Sequence, residues 1–277
     1  MKKSILFGLI GAMTLGVNAG DWGKAPVGKS PISAPAEDQG SVELGFMSHY
    51  IFRGMVGAVN TYYADVNYTF ENLTVVPITI GAARYTGGDG KWSDMFGAYD
   101  GGTRMVLSAE AALGTFAGFD TVLGLSHYSH EDYGNYAQPF MDVSLELTRS
   151  LGFADLRLLT VYGLAGSYQD ERPEGLYTEL ALSRSFGITD ALAVIVEGGL
   201  AYDSGYNWAY DSGGSDFNHY FFKATLPIEL KSNVTFSPYV GFNGSPTGWS
   251  TDGAWNNGST NDQSDIFHAG ASVEITF

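Results

Sequence analysis

The densest set of residues able to do covalent chemistry is Ser126-His127-Tyr128-Ser129-His130, followed by Glu131 and Asp132. A serine nucleophile needs a histidine within hydrogen-bond reach and a third group to orient that histidine. All three residue types are present, but the spacing works against them. Neighbours on an extended chain point to opposite faces, so Ser126 and His127 cannot pair directly. His127 and Ser129 share a face, yet stand about 6–7 Å apart along it. Two other runs, Gly87-Gly88-Asp89-Gly90-Lys91-Trp92-Ser93-Asp94 and Thr251-Asp252-Gly253-Ala254-Trp255, set carboxylates beside indole rings. Carboxylates suit hard cations and tryptophan faces stack on sugars, but neither run supplies the terminal bidentate Glu of an EF-hand. Solvated loops of Gly, Asp and Asn are the simpler reading. The 277 residues include no cysteine, which removes thiolate metal sites and disulfides. No metal, cofactor or catalytic residue is therefore expected.

What remains is charge, with 30 acidic against 14 basic side chains and a formal charge of −16. Such a chain repels phosphate-rich partners unless divalent cations intervene, which argues against nucleic acid.

The elements that carry these charges begin after a leader. Lys2 and Lys3 precede an apolar stretch from Ile5 to Val17, and Val17-Asn18-Ala19 has the small residues of a secretory cleavage site. The stretch is shorter than the roughly 20 residues of a spanning helix, so residues 1–19 read as a signal peptide rather than a retained anchor. Its removal takes the charge to −18, since both lysines go and no acid does. Residues 20–40 hold three of the nine prolines and no periodicity, as a flexible periplasmic tail would.

From residue 41 to 277 apolar and polar residues alternate in segments bounded by Gly, Asn, Asp or Ser, without an i, i+3, i+4 pattern. The pattern predicts strands over 41–54, 61–70, 73–86, 103–113, 119–129, 138–149, 155–167, 175–186, 191–203, 216–230, 233–244 and 265–277, twelve in all. Strands near ten residues, tilted about 45°, suit a bilayer, whereas soluble sandwich strands average nearer five or six. The connections alternate in length, as in outer-membrane barrels. Glu71-Asn72, Gly114–Gly118, Ser150–Ala154, Gly187–Asp190 and Lys231-Ser232 are brief, while Gly87–Gly102, Ser204–Ser215 and Ser245–Ser264 are long. Met55–Asn60 is expected to be an unusually short external connection.

The faces sort in the same sense. Phe267, Ala269, Ala271, Val273, Ile275 and Phe277 oppose His268, Gly270, Ser272, Glu274 and Thr276, and strands six and ten repeat the pattern. Charges should therefore face inward, because Arg or Lys at the lipid midplane costs about 2–4 kcal/mol. Strand three is the weakest, with Pro77 inside it and both faces apolar. Tyr50, Phe52, Tyr62, Tyr68, Phe70, Tyr128, Tyr202 and Tyr220 gather near segment ends, where interfacial girdles form. Phase assigns to the lumen Glu43, His49, Arg53, Asp65, Arg104, Glu110, Asp142, Glu146, Arg157, Glu179, Glu197, His219, Lys223, Glu229, His268 and Glu274. Glu43, Glu229 and Glu274 fall at one periplasmic depth, and such a ring favours cations. The plainer alternative ties Arg53, Arg104, Arg157 and Lys223 to nearby acids and fills the barrel with salt bridges. Small inward residues, among them Gly45, Gly163, Ala165, Ser167, Ala181, Ser183, Gly199, Ala201, Gly241 and Gly270, imply a narrow passage through the middle.

The first strand closes with Ser48-His49-Tyr50-Ile51-Phe52-Arg53-Gly54. This segment resembles the opening signature of the TorF family of porins, an aromatic, an aliphatic and an aromatic residue followed by Arg-Gly. The motif residues are Tyr50, Phe52, Arg53 and Gly54, and the following Met55-Val56-Gly57 departs from the Ile-Ser or Ile-Thr usual in such proteins. A strand ending in Phe277 likewise resembles the signal read by the barrel-assembly machinery. The resemblance implies an outer-membrane barrel with a porin role and names no substrate.

The expectation is a transmembrane antiparallel barrel in the bacterial outer membrane, in contact with lipid and lipopolysaccharide. It would pass small hydrophilic solutes or cations by diffusion. The alternatives are a surface-binding barrel acting through its outer loops and a lipid-modifying enzyme built on the Ser/His run.

Overall fold

A strand in lipid must pair both of its edges, because an unsatisfied backbone group finds no water there. The computed structural model describes residues 38–71, 75–89, 103–131, 139–164, 175–189, 192–206, 215–244 and 265–277. These form β1 (Gln39–Phe52), β2 (Met55–Phe70), β3 (Ile78–Asp89), β4 (Thr103–Phe116), β5 (Phe119–Glu131), β6 (Phe140–Ser150) and β7 (Asp155–Leu164). Then follow β8 (Gly175–Thr189), β9 (Leu192–Ser204), β10 (Ser215–Thr225), β11 (Ile228–Lys231), β12 (Val234–Gly244) and β13 (Asp265–Thr276). No helix occurs among the described residues.

Each strand pairs antiparallel with its chain neighbours, β1 pairs with β13, and the ladder returns to its start. β10 and β11 are one stave, since both pair with β12 and Thr225↔Tyr239 and Ile228↔Phe236 keep a single register. The break falls at Leu226-Pro227, where Pro227 has no N–H and the nearby Pro238 has none either. The Leu226 N–H still donates to the Pro238 carbonyl at 2.9 Å. The fold is thus a closed antiparallel barrel of twelve staves. Phe277 completes the seam, exchanging two backbone hydrogen bonds with Gly40 at 2.8 and 2.9 Å.

Several boundaries move. β1 begins at Gln39, so the tail is shorter than expected, and Met55–Asn60 belongs to β2 rather than to a loop. The first external connection is only Arg53-Gly54. Pro77 does not interrupt β3 but immediately precedes it, where a missing N–H breaks no ladder. At the opposite end, Ala117-Gly118 has φ values of 51° and 81°, the two positive angles of a type I′ hairpin turn. The run 251–255, Ala165, Ser167 and residues 90–94 lie outside the described residues.

Side chains alternate about the wall. In β8 the exposed Leu176, Leu180 and Leu182 alternate with buried Tyr177, Glu179, Ala181 and Ser183. In β13 Phe267 is 78% exposed and His268 is buried. The outward rows of Leu, Val, Phe and Ile form an apolar surface that water would drive to aggregate. Three charges depart from the expected inward placement, for Arg84, Arg149 and Arg184 are exposed between inward neighbours. Arg149 and Arg184 lie over the rings of Phe119 and Phe186 at 5.4 and 5.1 Å. An arginine stem lies along apolar surface while its head seeks water, so such positions are tolerated near strand ends.

Leu180→Arg puts a guanidinium on the apolar face of β8, where Leu180 is 42% exposed. It should destabilise the barrel in lipid by about 2–4 kcal/mol in reversible urea unfolding. A change below about 0.5 kcal/mol would mean that this face does not meet acyl chains.

Candidate functional site

The wall is regular except at the outer end of the first hairpin. β1 pairs with β13 from Ser41↔Thr276 to Met47↔Gly270, and the pairing stops there although β13 continues outward to Asp265. Ser48 Oγ instead accepts the Ala269 N–H at 3.0 Å. The β1–β2 register slips between Tyr50 and Ile51, and Asn60 holds a φ of 49°. Beyond these irregularities Tyr50, Ile51, Phe52 and Arg53 are all 4% exposed or less. A strand within a lipid-facing wall exposes every second residue, so four consecutive buried side chains require that the tip has left the wall. It folds into the lumen.

Arg53 and Gly54 have φ values of 49° and 83°, again the type I′ combination. The tip is held from across the barrel. The Arg53 guanidinium donates through Nη2 to Asp142 Oδ2 of β6 at 2.8 Å, and the Tyr206 hydroxyl donates to the same oxygen at 2.8 Å. The guanidinium also lies 4.2 Å from the centre of the Tyr206 ring and 5.3 Å from that of Tyr177 on β8. In strand order β6 and β8 stand on the side of the ring away from β1. From β10 and β12, Asn218 Nδ2 donates to the Arg53 carbonyl and Asn243 Nδ2 to the Gly54 carbonyl, both at 3.3 Å. A Cβ on Gly54 would meet the side chains of Asn218 and His219. Arg104 of β4 supports the other flank, donating to the Tyr50 hydroxyl at 3.2 Å and lying 4.2 Å from the Phe52 ring centre. Desolvated cation–π contacts of this kind reach about 2 kcal/mol.

Below the tip, inward side chains of neighbouring strands bond to one another. Arg157 of β7 donates to Glu179 Oε1 at 2.6 Å and to Glu197 Oε1 at 2.9 Å, and the Tyr177 hydroxyl donates to Glu179 Oε2 at 2.7 Å. Lys223 is registered opposite Glu197 and its Nζ lies 4.9 Å from the Tyr239 ring centre. Glu110 is buried, while Glu146 and His49 are half-buried. His49 Nδ1 lies 3.1 Å from Ser48 Oγ. Towards the periplasmic end Glu43 is registered with both Glu274 and Asp65, Glu274 with Thr235, and Thr235 with Glu229. The Tyr63 hydroxyl donates to Glu43 Oε1 at 2.6 Å, and Glu229 is exposed. The carboxylates thus share one cross-strand row.

Rings from neighbouring strands lie over several of the small inward residues, Tyr63 over Gly45, Phe221 over Gly199 and Tyr239 over Gly270. One expectation is overturned by this packing. Tyr50, Phe52 and Tyr128 are not girdle residues but are buried inside, unlike Tyr62, Tyr202 and Tyr220, which are exposed outward. Tyr68 and Phe70 are half-buried.

Four contributors were not among the expected lumen residues. Asp203 shares the inward phase of Glu197, so alternation alone points to it. It accepts the Tyr206 N–H at 2.9 Å and Asn218 Nδ2 at 3.3 Å. Asn218 turns inward beside His219 only because the β9–β10 register slips between Phe217 and His219. Asn243 is buried at the outer end of β12, and Tyr206 lies past β9 in a segment expected to be loop.

Among the described side chains of the Ser/His run, Ser126 and His127 lie on opposite faces of β5. Ser126 is buried inside between Ser108 and Asp142 in the register, whereas His127 is registered with the outward Leu107 and Met141. No hydrogen bond joins a serine of this run to a histidine of it among the described contacts, and the His130 side chain lies outside them.

No protein-family model matches the chain, and no curated protein matches it. Among solved structures, the COG4313 outer membrane channel from Pseudomonas putida F1 is 10% identical, with 92% of this chain and 100% of that one covered at a TM-score of 0.53. LpxR from Salmonella typhimurium is also 10% identical, covering 86% and 100% at a TM-score of 0.48. The NanC porin is 9% identical, covering 85% and 98% at 0.48. With the first of these the chain shares its fold, that of the outer-membrane barrels. The likeness to TorF porins rests on residues 48–54.

Arg157 makes its own prediction. Arg157→Ala leaves Glu179 and Glu197, both buried, without their shared cation. Loss of about 3–5 kcal/mol of unfolding free energy is expected. Paired replacement of all three by apolar residues should recover most of it, and a loss under about 1 kcal/mol for Arg157→Ala would contradict the buried triad.

Proposed function

We propose that the chain is a porin-like channel of the bacterial outer membrane, related to the TorF porins, through which small hydrophilic solutes or cations diffuse down their gradients. In this reading residues 1–19 are a signal peptide cut on export, the segment before β1 is periplasmic, and Phe277 addresses the barrel to its assembly machinery. The observation that carries the proposal is the reversed polarity of the barrel, apolar side chains outward and carboxylates, arginines and hydroxyls inward. A water-soluble binding protein has no use for that arrangement. A bilayer requires it, and a polar interior gives solutes a route that acyl chains deny.

The sign of the selectivity comes from the periplasmic row. Glu43, Asp65 and Glu274 stand on adjacent strands and Glu229 lies at the same depth, so the mouth carries concentrated negative potential. Arg53 and Arg157 pair with acids higher up, and the row gathers its carboxylates at the mouth. No covalent step is involved, and the Ser/His run has no part in it.

Single-channel recording in planar bilayers tests both statements. A salt gradient should give a reversal potential of cation-selective sign. Glu43→Gln, Glu229→Gln and Glu274→Gln together should lower the cation-to-anion ratio at least about twofold in 0.1 M salt, with a smaller effect at 1 M, where the Debye length falls to about 3 Å. A folded barrel that never conducts, or one that prefers anions, would refute the proposal.

A further inference from the structure

The hairpin tip that crosses the lumen is not needed to close the wall. The ring is carried on one side by β1–β13 pairing up to Met47↔Gly270, and on the other by β2–β3 pairing up to Val59↔Asp89. Everything beyond those pairs, from Tyr50 through Gly54 to Ala58, is bonded as a hairpin to itself and to side chains across the barrel. The base of the tip holds two irregularities, the slip between Tyr50 and Ile51 and the positive φ of Asn60. Bulges of this kind re-aim a strand where it leaves its sheet.

The bonds that hold the tip inside differ in kind from those that hold the wall. They are one ion pair, Arg53–Asp142, side-chain donors from Asn218, Asn243 and Arg104, and ring contacts such as Tyr50 with Tyr85 and Phe52 with Tyr128. Among the described residues, Arg53 Nε and Nη1 and Asp142 Oδ1 are buried without a hydrogen-bond partner. A buried ion pair gains little over its hydrated halves unless its remaining polar atoms are satisfied. Outward movement of the tip exposes these atoms to water and breaks no ladder bond of the wall. The closed arrangement is therefore held by side-chain contacts alone, whereas the barrel around it is held by its ladder of strand pairs.

We infer that the Tyr50–Gly54 tip is the gate of the channel, latched shut by Arg53 on Asp142 and opened by swinging outward about its base. The inference rests on the channel reading and assigns to the Arg-Gly turn a role that a fixed filling would not have. Solute size is then set by the lumen that the tip vacates, and open time by the latch.

The chain has no cysteine, so an introduced pair reports without interference. The Asn218 side chain lies in contact with the place a Gly54 Cβ would take, which makes Gly54→Cys with Asn218→Cys a tether between tip and wall. The full barrel is refolded into planar bilayers and current is recorded before and after reductant, with each single cysteine variant as control. Folding is confirmed by heat-modifiable gel mobility. The oxidised pair should conduct at least about tenfold less, averaged over time, than the same protein reduced. Asp142→Ala, which needs no new cross-link, should raise the average current severalfold over the unmodified barrel by lengthening openings. The gate is refuted if the tethered barrel conducts as well oxidised as reduced, or if Asp142→Ala leaves the open time unchanged while the unmodified barrel conducts. Absence of current from the unmodified barrel, the reduced pair and Asp142→Ala alike would instead refute the channel itself.

Discussion

The constraint on which the structure depends is that backbone groups in an apolar surround have to find their partners within the protein. Antiparallel ladders meet it only if the last strand finds the first, which is why β13 lies along β1 and Phe277 bonds to Gly40. Closure then fixes which side of every strand is inside. Leu180 and Phe267 have only the outer face available, and Glu179 and His268 only the inner one. Charge excluded from the outer face accumulates in a space a few side chains wide, where each ion must be balanced by another.

Interior architecture follows from that crowding. Arg157 bridges two glutamates from adjacent strands, and tyrosine hydroxyls take up carboxylate oxygens at Glu43, Asp142 and Glu179. Rings lie over glycines on neighbouring strands because a strand position without a side chain is the space a lumenal ring can use. At the outer end the wall alone would leave a gap, and the first hairpin bends in to take it. Its arginine reaches the side of the barrel away from β1 and meets Asp142 there. The same crowding separates two populations of contacts, the repetitive backbone ladder of the wall and the side-chain contacts at the tip, and only the second can rearrange without dismantling the barrel.

Much of this was legible in the chain because period-two alternation, strand length and the terminal phenylalanine all report the same two-faced wall. Glu43 and Glu274 could be placed from strand phase, since β1 and β13 pair without a break there, and Glu229 keeps its place opposite Thr235 although the register slips between Glu229 and Lys231. Phase fails where a register slips. One slip between Tyr50 and Ile51 and another between Phe217 and His219 bring inward side chains that alternation sends outward, which is why Tyr50 and Phe52 read as girdle residues and Asn218 was not seen at all. Proline placement was half-legible: Pro77 was read inside a strand that starts after it, while Pro227 interrupts a stave without ending it. Ring packing was not legible either, because sequence shows which positions lack a side chain and not whose ring lies over them.

The most direct test is a nitroxide scan of single cysteines placed from Ser41 to Gly54 in lipid vesicles, reading collision with oxygen, which partitions into acyl chains, against a polar nickel chelate. Oxygen contact should rise and fall with a two-residue period from Val42 to Phe46, and should then disappear for all of Tyr50, Ile51, Phe52 and Arg53. Alternation that continued unbroken through Arg53 would place the hairpin tip in the wall and leave the lumen without its crossing.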